Sequence, residues 1–168
     1  EILGHNRAGQ TAEDKIAHLQ QTLAEDGADA VVFTLPESIC WLFNIRGRDV
    51  PNTPFVLGFA IVPKKGEAVL FLDPAKVTPE LETALADIAK IEAAKKLTKA
   101  LEKLGKGGKT VLVDPASAPT AIAETLTASG AKLVEKRDPV LLPKSRKNEA
   151  ELAGMREAHR LDGGALAK

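Results

Sequence analysis

From Thr11 onward the apolar residues follow two alternating rhythms. Ile16, Leu19 and Leu23 fall three and four apart, the period of one helix face, with Lys15, His18, Gln20 and Gln21 assigned to water. Thr11 offers an N-cap three residues before Asp14, and Gly27 a stop. Ala30-Val31-Val32-Phe33-Thr34 is instead an unbroken apolar run, as expected of a strand covered on both faces. Pro36 opens the next helix at a position where its missing N–H is harmless, and that helix is expected to pass through Trp41 to about Asn44.

The same alternation continues. Residues 55–62 and 68–72 are apolar, and Pro63-Lys-Lys-Gly-Glu67 between them predicts a β-hairpin. Thr78 with Pro79 predicts a helix over 79–86, followed by a weak strand at 88–91 and a helix over 93–104. Strands are expected at Thr110–Val113 and Lys132–Glu135, with a helix at Pro119–Ala128 between them. Helices interleaved with short apolar strands indicate an α/β fold, a mixed β-sheet flanked by helices, with the hairpin as its antiparallel part.

Both ends depart from this rhythm. Residues 1–10 have no period and are expected to form an extended lead-in to a domain over 11–138. Asp138-Pro-Val-Leu-Leu-Pro-Lys-Ser145 predicts an extended linker at a domain boundary. From Arg146 the chain is expected to be helical, with Leu152, Met155, Ala158, Leu161 and Ala165 on one stripe. No later segment is available to cover that stripe, so 139–168 are expected to link to a further domain.

Composition narrows the function. Lys+Arg and Asp+Glu each number 23 in 168 residues, a balance that argues against a nucleic acid or an anionic membrane as partner. Cys40 is the single cysteine and lies within Ile39-Cys-Trp-Leu-Phe43, which predicts a buried, inert thiol. No apolar stretch approaches the ~20 residues needed to span a bilayer. No signal-peptide pattern opens the chain, so the cytoplasm is the expected location.

Candidate chemistry is sparse. His5, His18 and His159 are widely separated; His159 and Asp162 share a helix face but make two ligands, not a metal site. None of Ser38, Ser117, Ser129 and Ser145 has a nearby histidine in sequence to act as base. Lys106-Gly-Gly-Lys-Thr110 resembles the end of a phosphate loop, but Lys103 stands where the first glycine is required and a strand, not a helix, follows. No catalytic residue and no metal ligand is therefore assigned. The remaining candidate is Arg46-Gly-Arg-Asp-Val-Pro-Asn-Thr-Pro54. Arg46, Arg48 and Asp49, with Trp41 close by in sequence, suit a carboxylate or peptide terminus held by bidentate hydrogen bonds. The competing expectation is that an arginine pairs with Asp49 to brace the loop while Trp41 belongs to the core.

Glu37-Ser-Ile-Cys-Trp-Leu-Phe-Asn-Ile-Arg-Gly-Arg-Asp-Val-Pro51, with Pro54 and the run to Val62, is similar to the middle domain of three-domain aminopeptidase P enzymes of the creatinase family. Ala8-Gly-Gln10, Lys15 and Leu19 agree with the start of that domain. Lys144-Ser-Arg-Lys-Asn-Glu149, Gly154-Met-Arg156, Ala158-His159 and Asp162-Gly163 resemble the linker and first helix of the family's catalytic domain. The resemblance implies a creatinase-type amino-terminal fold with no metal of its own. It further implies a parent enzyme that removes the residue before proline with two divalent ions, manganese by expectation, in a separate pita-bread domain. The chain would then be a non-catalytic accessory domain that shapes substrate access and supports a homodimer. Its partners would be its own catalytic domain and proline-containing peptides. The alternative is a protein-binding module from a homologue that has lost catalysis.

Overall fold

Thr11 fulfils its capping role, its hydroxyl accepting from the Asp14 N–H at 3.1 Å, and so does Thr78, accepting from Leu81 at 3.3 Å. In the computed structural model, which describes residues 1–167, these caps open α2 (Ala12–Glu25) and α4 (Pro79–Leu85). The first helix is α1 (His5–Ala8), and β1 (Ala30–Phe33), α3 (Pro36–Leu42), β2 (Phe59–Pro63) and β3 (Ala68–Leu72) precede α4. After it come β4 (Ala89–Ala93), α5 (Leu97–Lys106), β5 (Thr110–Val113), α6 (Thr120–Ala128), β6 (Lys132–Glu135), α7 (Leu141–Ser145) and α8 (Glu149–Leu166).

The strands form one mixed sheet in the order β4-β3-β2-β1-β5-β6. β2 runs antiparallel to β1 and β3, while the β3–β4, β1–β5 and β5–β6 pairs are parallel. Side chains alternate across the pleat. Val31 and Phe33 therefore join Leu19 and Leu23 of α2 and Ile39 and Leu42 of α3 in one core. Ala30 and Val32 join Leu97, Leu101, Ile122 and Leu126 of α5 and α6 on the other face. That two-sided cover is why the central strands carry unbroken apolar runs.

Several expectations require correction. Residues 1–10 are not simply extended: α1 ends at Gly9 in a left-handed conformation (φ 71), and Ile2 bridges Ile45. The first hairpin strand begins at Phe59 because Val56 and Leu57 spend their N–H groups elsewhere, on the Cys40 thiol and the Asp49 carboxylate. β4 continues to Ala93, and α5 starts after one 3₁₀ turn. Residues 141–145 are helical, with the Asp138 carboxylate accepting from Val140 N–H at 2.8 Å just before α7. The last helix begins at Glu149, not Arg146, because Asn148 and Glu151 close a capping box. Lys15 is buried, not solvated: with Ala12, Ile16, Leu19 and Leu23 it lies on the inward face of α2. Cys40 is buried, as its apolar setting predicts.

Candidate functional site

Between α3 and β2 the chain makes a loop with little freedom. Gly47 donates to the Pro54 carbonyl at 3.2 Å and Asp49 N–H to that of Phe55 at 3.2 Å, which folds residues 46–54 back on themselves. Asn52 takes a left-handed conformation (φ 59) within the Val50–Thr53 bridge. The Asp49 carboxylate holds the loop to its surroundings by accepting from Leu57 N–H at 2.6 Å and from Lys76 Nζ at 2.6 Å. Burial pushes that carboxyl up, but the lysine and the amide outweigh it and hold it below the ordinary carboxylate range.

Lys76, which precedes α4, thus takes the place expected of an arginine. Among the described residues the ion-paired guanidiniums are those of Arg7 and Arg160. Those of Arg46 and Arg48 stand exposed and unpaired. Both line an open cleft of about 1110 Å³ with Ile45, Asp49, Lys76 and Leu81. The cleft offers two exposed cations on a braced backbone, an arrangement suited to a carboxylate.

Trp41 does not share that cleft. It lines two smaller cavities, of about 330 and 190 Å³, the second of which it shares with Arg46 and Pro54 of the loop. Its indole Nε1 donates to Glu151 Oε1 at 2.9 Å. Lys15 Nζ sits 4.0 Å from the ring centroid and donates to the Trp41 carbonyl at 2.9 Å and Asn44 Oδ1 at 2.7 Å. Burial lowers the Lys15 amine to about 8, against an upward pull from Glu151. Lys15, Asn44, Asn148 and Glu151 are not among the site residues expected from the sequence. Two signals were present: the inward α2 spacing at Lys15 and the Asn-x-x-Glu pattern at 148–151.

The crevice between β1 and β5, where the following helices leave on opposite faces, is the usual ligand position in open α/β sheets. Here it is closed. Thr34 Oγ1 bonds Ser117 Oγ at 3.2 Å, and the Asp114 carboxylate accepts from the backbone of Ala116 and Asp138, both at 2.9 Å. Among the described residues no three His, Cys, Asp or Glu side chains gather as metal ligands. His159 and Asp162 lie exposed on α8.

Residues 1–151 match the family profile described as Creatinase/Prolidase N-terminal domain. The chain belongs to that family. This creatinase/prolidase N-terminal domain is 36% identical over 169 residues to a probable Xaa-Pro aminopeptidase P of Arthroderma gypseum, covering 95% of this chain and 26% of the relative. It is 30% identical over 158 residues to Xaa-Pro aminopeptidase 1 of Dictyostelium discoideum, covering 94% of this chain and 25% of that protein. The chain thus spans about a quarter of the length of the curated relatives it matches. Among solved structures it superposes on X-prolyl aminopeptidase of Caenorhabditis elegans with TM-score 0.89 and 25% identity, over 99% of this chain and 28% of that one. That protein is described as a cytosolic enzyme with a di-nuclear active site. The N-terminal domain of the Mycobacterium tuberculosis peptidase PepQ shares the fold at 15% identity and TM-score 0.58, over 76% of this chain and 96% of that one. Among the described residues no helix is long and apolar enough to cross a membrane.

Proposed function

We propose that this chain is the non-catalytic accessory domain of a cytoplasmic Xaa-Pro aminopeptidase, and that its cleft below Arg46 and Arg48 helps receive the peptide. One observation carries the second part: Lys76 neutralises Asp49, so both guanidiniums remain free for a carboxylate outside the chain. Residues 11–138 form the accessory unit and 139–168 the link to the catalytic domain. Met155, Leu161 and Leu166 are exposed on α8, and contact with the catalytic domain or a second copy in a homodimer would cover them. Two divalent ions, manganese in this reading, would belong to the remainder of the enzyme. Among the described residues no three His, Cys, Asp or Glu side chains gather to hold such ions.

The test uses the full-length enzyme on Xaa-Pro peptides with free and amidated C-termini. Arg46→Ala with Arg48→Ala is expected to raise KM about tenfold for the free acid, the worth of one charge-assisted contact, and to leave the amide unaffected. Equal kinetics for both substrates in wild type and variant would reject the carboxylate reading. Separately, hydrolysis by residues 1–168 alone would reject the non-catalytic assignment.

A further inference from the structure

Among the described residues, the rest of the chain covers α8 only over its first turn. Asn148, Ala150, Glu151 and Leu152 are half-buried, whereas every described residue from Ala153 to Ala167 is exposed. An 18-residue helix is about 27 Å long, so each 10° of play at its base displaces the far end by about 5 Å. The direction of α8 therefore depends on what its first turn grips.

That turn is gripped twice. Asn148 is shared between two helices: Oδ1 accepts from Glu151 N–H at 3.0 Å, capping α8, while Nδ2 donates to the Ala8 carbonyl at 2.8 Å, closing the end of α1. The left-handed Gly9 makes room for it, since a Cβ there would lie 2.3 Å from Asn148 Oδ1. Glu151 is shared in the same way. Its Oε2 accepts from Asn148 N–H at 3.0 Å and its Oε1 from the Trp41 indole at 2.9 Å. Trp41 is in turn fixed from below by Lys15, which grips its ring and its carbonyl. Asn44, the other acceptor of Lys15, donates to the Gln10 carbonyl at 2.8 Å and so ties in the segment between α1 and α2.

We propose that Asn148, Glu151 and Trp41 form a pivot lock that sets the direction of α8, making Trp41 a positioning residue that acts through this helix. The lock is complete within residues 8–151, so it stands or falls independently of the aminopeptidase reading. Hydrophobic contact alone would leave α8 free to swing. Two directional bonds from two separate elements remove that freedom.

The experiment places nitroxide labels at Gln21→Cys on α2 and Ala158→Cys on α8, both exposed, with Cys40 buried and unlabelled, and measures their separation by pulsed electron paramagnetic resonance. One narrow distance distribution is expected for the otherwise wild-type chain. Glu151→Ala and Trp41→Phe should each broaden it by about 5 Å or more. Glu151→Gln should restore it, because glutamine can accept from the indole and close the capping box. Trp41 is the only tryptophan, so its emission reports the same event: it should shift in Glu151→Ala and return in Glu151→Gln. Circular dichroism melts confirm that the sheet domain stays folded, and Trp41→Phe keeps an aromatic ring in the packing. An unchanged narrow distribution in both Glu151→Ala and Trp41→Phe would overturn the proposal. So would a distribution already broad in the wild-type chain.

Discussion

Gly47→Ala should destabilise this chain by about 1–3 kcal/mol, although removing a glycine from a loop ordinarily stabilises a fold. A Cβ at position 47 would lie 2.6 Å from the Phe55 carbonyl oxygen, 2.8 Å from Val56 Cα and 2.9 Å from the Phe55 carbonyl carbon. All three atoms are backbone, so no side-chain rotation relieves the overlap. The strand of loop carrying Arg46 must separate from residues 54–56. That breaks the Gly47–Pro54 and Asp49–Phe55 hydrogen bonds and pulls Asp49 away from Leu57 and Lys76. Arg46 and Arg48, which line the cleft, sit on the displaced segment and would move with it. Gly154→Ala is the matched control. It lies within α8 with nothing near its Cβ position, and should stabilise that helix by about 0.5–1 kcal/mol. Urea denaturation of the two variants should therefore move in opposite directions. A Gly47→Ala chain as stable as wild type would show that the loop is not held as described.

The different fates of these glycines show what sequence can and cannot reveal. Gly154 in a helical pattern has the same letter as Gly47 in a loop, and only the approach of Phe55 and Val56 separates them. The sheet was legible because its signals are local. Ala30–Phe33 and Thr110–Val113 are apolar throughout, and Thr11 and Thr78 cap helices three residues away. The loop at 46–54 was legible as a candidate for the same reason, since its prolines and charges lie together. What escaped were bonds between distant positions: Asp49 with Lys76, 27 residues on, and Trp41 with Glu151, 110 residues on. No spacing rule selects Lys76 over Arg46 or Arg48 as the partner of Asp49. Trp41 does meet Arg46 along the smaller cavity of about 190 Å³, but the bond of its indole to Glu151 could not be read from that proximity. Lys15 shows a third kind of miss. Its spacing matched the inward face of α2, but a lysine side chain is ordinarily assigned to water, and only Trp41 and Asn44 make its burial tolerable.

That burial has a cost that pH should reveal. Lys15 is 4% exposed, and its amine falls from an ordinary 10.5 to about 8 in the folded chain. Below pH 8 the lysine is charged in both folded and unfolded states, and the folded state bears the full penalty of holding the charge out of water. Between 8 and 10.5 the folded chain releases the proton while the unfolded chain keeps it, so stability rises with pH across that window. The gap between 10.5 and about 8 corresponds to roughly 3 kcal/mol, gained progressively as the pH rises. Cys40 acts in the opposite direction. Burial pushes its thiol above the ordinary 9.0, so the unfolded chain loses that proton first and stability falls above about pH 9. A single melting curve against pH mixes the two effects, whereas comparison with Lys15→Met separates them. Cys40 titrates alike in both proteins, and its contribution cancels. The difference in unfolding free energy, wild type minus Lys15→Met, should therefore climb by roughly 3 kcal/mol between pH 7 and pH 10.5. Urea denaturation at intervals of one pH unit is sufficient to resolve it. A difference that stays flat would mean that the amine is solvated and that its grip on Trp41 is not the buried contact that anchors α8. A climb that begins near pH 8 would place the titrating amine beneath the indole, where Glu151→Gln should move the onset lower by removing the nearby negative charge.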